Sequence, residues 1–235
     1  MTLDTYQIVV LISADEEWRA VKEINKPTEP LESSPFGEWF LQVVQVQDRQ
    51  LPVVFFQTGC SKIPAAAATQ FVLNKWNPQL IINLGTCGGF KGKVKREDIL
   101  LVSKTVVYDI IERTEHYDEQ IAKYMTEFDL SWLDKPYPTN ALQATMATAD
   151  QDLDPKRITY LWEKYGAVAA DWESGAIAYV AHKKNKTKCL IVRGVSDVVD
   201  PSGGKPSSNK EITEGTRIVM GRLLESLPEW IAKVT

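Results

Sequence analysis

Two carboxylates stand at the ends of apolar runs, in surroundings that suggest a shared task. Glu173 lies in Ala169-Ala170-Asp171-Trp172-Glu173-Ser174-Gly175-Ala176, and Asp197 closes Leu190-Ile191-Val192-Arg193-Gly194-Val195-Ser196-Asp197. If the two runs are strands and the segment between them a helix, the three make a βαβ unit. That unit brings both carboxylates to one rim of a sheet, where ligands of open α/β sheets bind and where acids do proton chemistry. The blander alternative stays open: Glu173 as a first-turn helix acid and Asp197 as a loop residue or cap. A third acid supports the site. Asp15-Glu16-Glu17 follows the first apolar run, and three acids there exceed what a helix start needs, so one is expected to face the rim.

The elements that must position these groups can be read in chain order. Residues 7 to 12 form a continuous β-branched run, the mark of a strand covered on both faces, with Ser13 expected to cap the helix that follows. Residues 37 to 47 and 51 to 57 read as a hairpin turning near Asp48. A helix over 63 to 76 carries Ala65 to Ala68, and a buried strand at 80 to 84 leads into Gly85-Thr86-Cys87-Gly88-Gly89, read as a glycine-rich turn. That turn lacks the dinucleotide GxGxxG spacing and the lysine of a P-loop. Strands follow at 98 to 108, 143 to 149 and 167 to 170, with helices at 155 to 165, 175 to 182 and 209 to 232. Residues 112 to 140 read as a helix and an irregular loop, a lid or an interface. Residues 201 to 206 read as a flexible segment near the site. The alternation gives a single α/β domain over 1–235, with a mixed central β-sheet flanked by helices.

Composition narrows the classes. The chain has 235 residues, 44% apolar and 25% charged, which is ordinary for a globular protein. A net charge of -4 argues against a nucleic-acid partner, which needs a basic face. Cys60, Cys87 and Cys189 are widely spaced and have no metal-ligand pattern, so no metal is expected and a reduced, cytoplasmic setting is. No run reaches membrane-spanning length. Neither His116 nor His182 is given a functional role, and His182 is read as a cation at the end of its helix.

Several motifs in order carry a resemblance. Ser-Ala-x-x-Glu at 13 to 17, Thr58-Gly59-x-x-Lys62, Ile-Asn-x-Gly-Thr-x-Gly-Gly at 82 to 89, x-Trp-Glu-Ser-Gly-Ala at 171 to 176 and Arg-x-x-Ser-Asp at 193 to 197 resemble the nucleoside phosphorylase superfamily. Within it the chain looks most like the 5'-methylthioadenosine/S-adenosylhomocysteine nucleosidases. The resemblance implies cleavage of a purine nucleoside through an oxocarbenium-like transition state, without a cofactor. Asp197 would protonate N7 of the leaving base, oriented by Ser196, and needs a raised proton affinity to do so. Glu173 would bind the ribose hydroxyls, Glu17 would hold and deprotonate the water, and Arg193 and Thr86 would complete the water site. The backbone of Cys87 and Gly88 would line the base and sugar pocket, and a homodimer is implied. Relatives that use phosphate carry arginines where this chain has Glu17 and Asn83; a carboxylate repels a dianion, which favours hydrolysis.

Two departures touch the base site. Asp152 stands where an aromatic usually stacks on adenine, and Trp172 where a methionine usually precedes the ribose glutamate. The indole could restore the stacking surface or narrow the pocket, and an acid near the base could signal another purine. The alternatives are a purine nucleoside phosphorylase, a futalosine-type hydrolase, or a nucleoside-binding protein on the same fold without activity.

Overall fold

The computed structural model describes residues 7–28, 30–113, 116–203 and 208–234. Its elements are β1 (Ile8–Ile12), α1 (Asp15–Asn25), β2 (Glu32–Ser34), β3 (Gly37–Val46), β4 (Arg49–Gln57), α2 (Lys62–Trp76), β5 (Leu80–Phe90), β6 (Ile99–Val107), α3 (Tyr117–Tyr124), β7 (Thr126–Glu127), β8 (Leu142–Thr148), α4 (Pro155–Tyr165), β9 (Ala167–Asp171), α5 (Ser174–Ala178), β10 (Lys188–Val199) and α6 (Asn209–Ala232). They form one mixed sheet with helices packed against it, the α/β class expected. The expected flexible segment, 201 to 206, falls partly outside the described residues, at 204 to 206.

The sheet curls and closes. Its order is β10-β6-β8-β9-β5-β1-β4-β3-β2, and β10 also pairs with β5, so β5, β10, β6, β8 and β9 make a ring from which β1, β4, β3 and β2 extend. β1 is buried along its whole length between β4 and β5, which explains its unbroken Ile-Val-Val-Leu-Ile. Here the expected βαβ unit fails. β9 runs antiparallel to β5 and β10 parallel to it, so β9 and β10 are opposed and separated by β5. The two strand ends still converge, because Ala170 and Asp197 are both registered against Gly88.

The glycine-rich stretch is also strand, not turn, since β5 continues through Phe90. Its first part pairs with β1 over 80 to 83, and its last part with β9 at 88 and 89. On that edge, residues 84 to 87 have no strand partner, and this split opens the sheet beside Thr86. The glycines permit close approach rather than a bend: a methyl on Gly85 would overlap the Arg193 guanidinium, and one on Gly89 would press Val94 and Val195.

Helix termini follow local rules in most places. α4 starts with Asp154 accepting from Lys156 N–H and Pro155 in the first turn, and ends at Gly166 in the left-handed region. α6 opens on a Ser208–Glu211 capping box. At α1 the cap position is Ala14, not Ser13, and the Glu17 side chain instead accepts the Ala14 N–H. α5 covers only five residues before the backbone widens into a π-helical turn over Tyr179–Lys184. His182 on that turn lies 4.9 Å from the Phe128 ring, and burial holds its pKa below the usual value. It packs as a neutral aromatic ring rather than as a helix-end cation.

Candidate functional site

The split in the sheet at Thr86 is filled from α1. Glu17 is 4% exposed, whereas its neighbours Asp15 and Glu16 point to solvent. Its Oε1 accepts the Thr86 N–H at 2.6 Å and the Thr86 hydroxyl at 2.9 Å, and its Oε2 accepts the Ala14 N–H at 3.1 Å. A backbone N–H that strand pairing would have used is thus given to a buried carboxylate.

Arg193 enters from β10. It is 1% exposed, and its Nε donates to Asp171 Oδ2 at 2.7 Å and to Ser174 Oγ at 3.1 Å. Asp171 is fixed in turn by the hydroxyls of Thr148 and Ser174. The guanidinium also faces the charges of Glu17 and Glu173. Nη1, lying over Gly85, and Nη2 carry no hydrogen bond among the described residues. Asp171 was missed by sequence reasoning, though a signal existed: an arginine inside an apolar strand needs a buried counter-charge.

Glu173 directly precedes α5, and its side chain does not cap that helix. Its Oε1 instead accepts the Ser61 N–H at 2.9 Å, across from the loop before α2. Burial, with Asp171 adding repulsion, pushes its carboxyl up to about 7, against the pull of Arg193 and the Ser61 bond. The Cys60 thiol leans on the same carboxylate and is pushed up to about 12, by partial desolvation of the sulfur and by the Glu173 charge, although the residue itself is exposed.

Asp197 lies on β10, not in a loop or a cap. Ser196 Oγ is 2.8 Å from Asp197 Oδ1 and 3.3 Å from the Cys87 carbonyl, so the hydroxyl can hold Oδ1 while Oδ2 faces Gly88. Burial raises the Asp197 pKa above the usual carboxylate value; Ser196 and Arg96 oppose this, and the charge of Asp152 adds to it. Asp152 is exposed on the loop between β8 and α4, and Trp172 is half-buried beside Glu173. Cys87 is buried, its Sγ 3.6 Å from the Gly194 carbonyl.

The arrangement therefore gathers three acids, Glu17, Asp171 and Glu173, around one buried arginine, with Asp197 on the same strand β10 facing Ser196, Arg96 and Asp152 instead. Among the described residues, no group of three or more His, Cys, Asp or Glu is placed to hold a metal ion.

The family model of the phosphorylase superfamily matches residues 7–229. The chain belongs to this superfamily. A 5'-methylthioadenosine/S-adenosylhomocysteine nucleosidase of Maridesulfovibrio salexigens is 26% identical over 231 residues, covering 92% of this chain and 98% of that one. Among solved structures, Arabidopsis thaliana 5'-methylthioadenosine nucleosidase in apo form superposes with a TM-score of 0.75 at 24% identity, over 97% of this chain and 95% of the other. Helicobacter pylori futalosine hydrolase superposes with a TM-score of 0.69 at 15% identity, over 94% and 98%. Both structures share the fold of this superfamily member.

Proposed function

We propose that this protein hydrolyses the N-glycosidic bond of a purine nucleoside, with 5'-methylthioadenosine and S-adenosylhomocysteine as first candidates. The observation that carries the reading is the Glu17 carboxylate, buried at the split in the sheet and held there by Thr86 and Ala14. A fixed acceptor beside the unpaired nitrogens of Arg193 suits a water molecule, and the Glu17 carboxylate at that point would repel a phosphate dianion, while the Arg193 charge is already engaged by Asp171. Asn83, the other position at issue for phosphate, spends its amide N–H on the Leu11 carbonyl.

In this mechanism Asp197 carries a proton on Oδ2, while Ser196 holds Oδ1. The proton passes to N7 of the base as the C1'–N9 bond breaks, so the base leaves neutral. Glu173 accepts the ribose hydroxyls, and the acids around the sugar stabilise the oxocarbenium charge. Water held by Glu17 attacks C1' from the opposite face and gives its proton to Glu17. The products are the free base and the free sugar. Thr86, Cys87 and Gly88 border the sugar and base, and Trp172 offers an indole face for stacking.

Asp152 bears on the base. A carboxylate only accepts hydrogen bonds, so it favours a base edge with N–H groups, either the amino group of adenine or N1–H of hypoxanthine. Both kinds of nucleoside therefore belong in the test, which is chromatographic detection of free base from each, with and without phosphate. Binding without cleavage of any of them would move the protein to the nucleoside-binding class.

We also propose a homodimer in the cytoplasm. Ile63 and Ile111, 79% and 66% exposed, flank the Lys62–Asp109 ion pair and so share one rim of the site. A monomeric mass by light scattering would remove the dimer.

A further inference from the structure

The segment from Gly59 to Lys62, which leads into α2, is held by a closed ring of bonds that the proposed mechanism does not use. Lys62 Nζ pairs with Asp109 Oδ1, beyond the end of β6. Asp109 Oδ2 accepts the Asp150 N–H at 2.9 Å, beyond the end of β8. Asp150 Oδ1 accepts the Lys62 N–H at 2.8 Å, and Asp150 Oδ2 lies 3.7 Å from Lys62 Nζ, which closes the ring. The pair is well shielded: the Lys62 and Asp109 side chains are 21% and 18% exposed, against 60% and 46% for the surface pair Arg19–Glu16.

The ring adjoins a strained residue. Ser61 has φ +81, a conformation that a non-glycine residue keeps only where its surroundings enforce it. That conformation accompanies the Ser61 N–H bond to Glu173 Oε1. We propose that Lys62 is a positioning residue for sugar recognition, fastening the start of α2 through Asp109 and Asp150 so that Ser61 stays on Glu173. The role in catalysis rests on the function proposed above; the fastening of the loop does not.

The groups that face Glu173 come from four parts of the fold. They are Asp171 on β9, Arg193 on β10, Glu17 on α1, and Cys60 and Ser61 in the loop before α2. The Ser61 N–H is one of the contacts that favour the ionised form needed to accept ribose hydroxyls. If the loop loosens, Glu173 loses the Ser61 N–H that aims its carboxylate and binds sugar less well. Cys60 reports on the same loop, because it is the exposed cysteine of the three and its thiol is freed from the Glu173 carboxylate, which disfavours the thiolate, when the loop opens.

The experiment compares wild type with Lys62→Met, Lys62→Arg and Asp109→Asn. The first readout is the labelling rate of the fast-reacting thiol by an aromatic disulfide. The second is kcat and KM against pH on whichever nucleoside the wild type cleaves. Lys62→Met and Asp109→Asn should label about tenfold faster and show KM raised about tenfold with kcat within about threefold. Lys62→Arg should recover most of both effects. Asp109→Asn breaks the same ring from the other side and serves if Lys62→Met does not fold. Unchanged labelling together with an unchanged KM overturns the proposal. A wild type that cleaves no nucleoside overturns the proposed function instead, and labelling alone then decides the role of Lys62 in fastening the loop.

Discussion

Replacing Glu173 with Gln should stabilise the free protein at pH 8 while removing sugar recognition. The Glu173 carboxyl is pushed up to about 7 from an ordinary 4.5, chiefly by burial. A carboxyl whose folded pKa is raised binds its proton more tightly in the folded state than in the unfolded one. Its contribution is therefore fully present below the unfolded value and is lost as pH rises through about 7. That shift corresponds to about 3 kcal/mol of stability forfeited at alkaline pH. Gln keeps an acceptor for the Ser61 N–H and carries no charge, so it avoids most of the loss. We expect the variant to exceed wild type by about 1 to 3 kcal/mol at pH 8 and to match it within about 0.5 kcal/mol at pH 5. Urea unfolding followed by tryptophan fluorescence between pH 5 and 8 measures this, and base release should fall roughly a hundredfold in the same variant. A stability difference that does not change with pH would refute the account of Glu173 as a buried acid held against its preference.

Three further outcomes follow from the same geometry. Asp171→Asn removes the one carboxylate hydrogen-bonded to the buried Arg193 among the described residues and should cost about 3 to 5 kcal/mol in urea unfolding, whereas a loss under about 1 kcal/mol would contradict that pairing. Asp152→Asn removes a charge that raises the proton affinity of Asp197, so the alkaline limb of the kcat/KM profile should move to lower pH; an upward shift would contradict it. Gly85→Ala puts a methyl into the space of the Arg193 guanidinium and close to Glu17, and should lower kcat at least tenfold for a stability cost of about 1 to 3 kcal/mol. Unchanged kcat would show that those two groups do not act at that point.

The parts of this fold that obey local rules were legible in the sequence. α4 begins and ends where Pro155 and Gly166 put it, α6 begins at the Ser208 capping box, and β1 shows the unbroken apolar run of a strand buried on both faces. What failed depends on distant pairing. Glycines at 85, 88 and 89 looked like a turn because glycine often marks one, yet here they clear the strand surface for side chains from β10 and the segment before β6. The opposed directions of β9 and β10 come from closure of the ring through β5 and β10, for which the local sequence has no signal. The acids were found as residue types out of place, and Glu17 proved to be the buried one of its three. The tie between Ser61 and Glu173 joins residues far apart in the chain, and nothing in either segment alone announces it.

The central claim is that water, not phosphate, is the nucleophile and that Asp197 supplies the proton. It is tested most directly by following free base from 5'-methylthioadenosine, S-adenosylhomocysteine, adenosine, inosine and futalosine, each with and without phosphate, with Asp197→Asn alongside. The account predicts base release from at least one of these at the same rate with or without phosphate, and loss of that release in Asp197→Asn. Release that requires phosphate, or release that survives in Asp197→Asn, would contradict it.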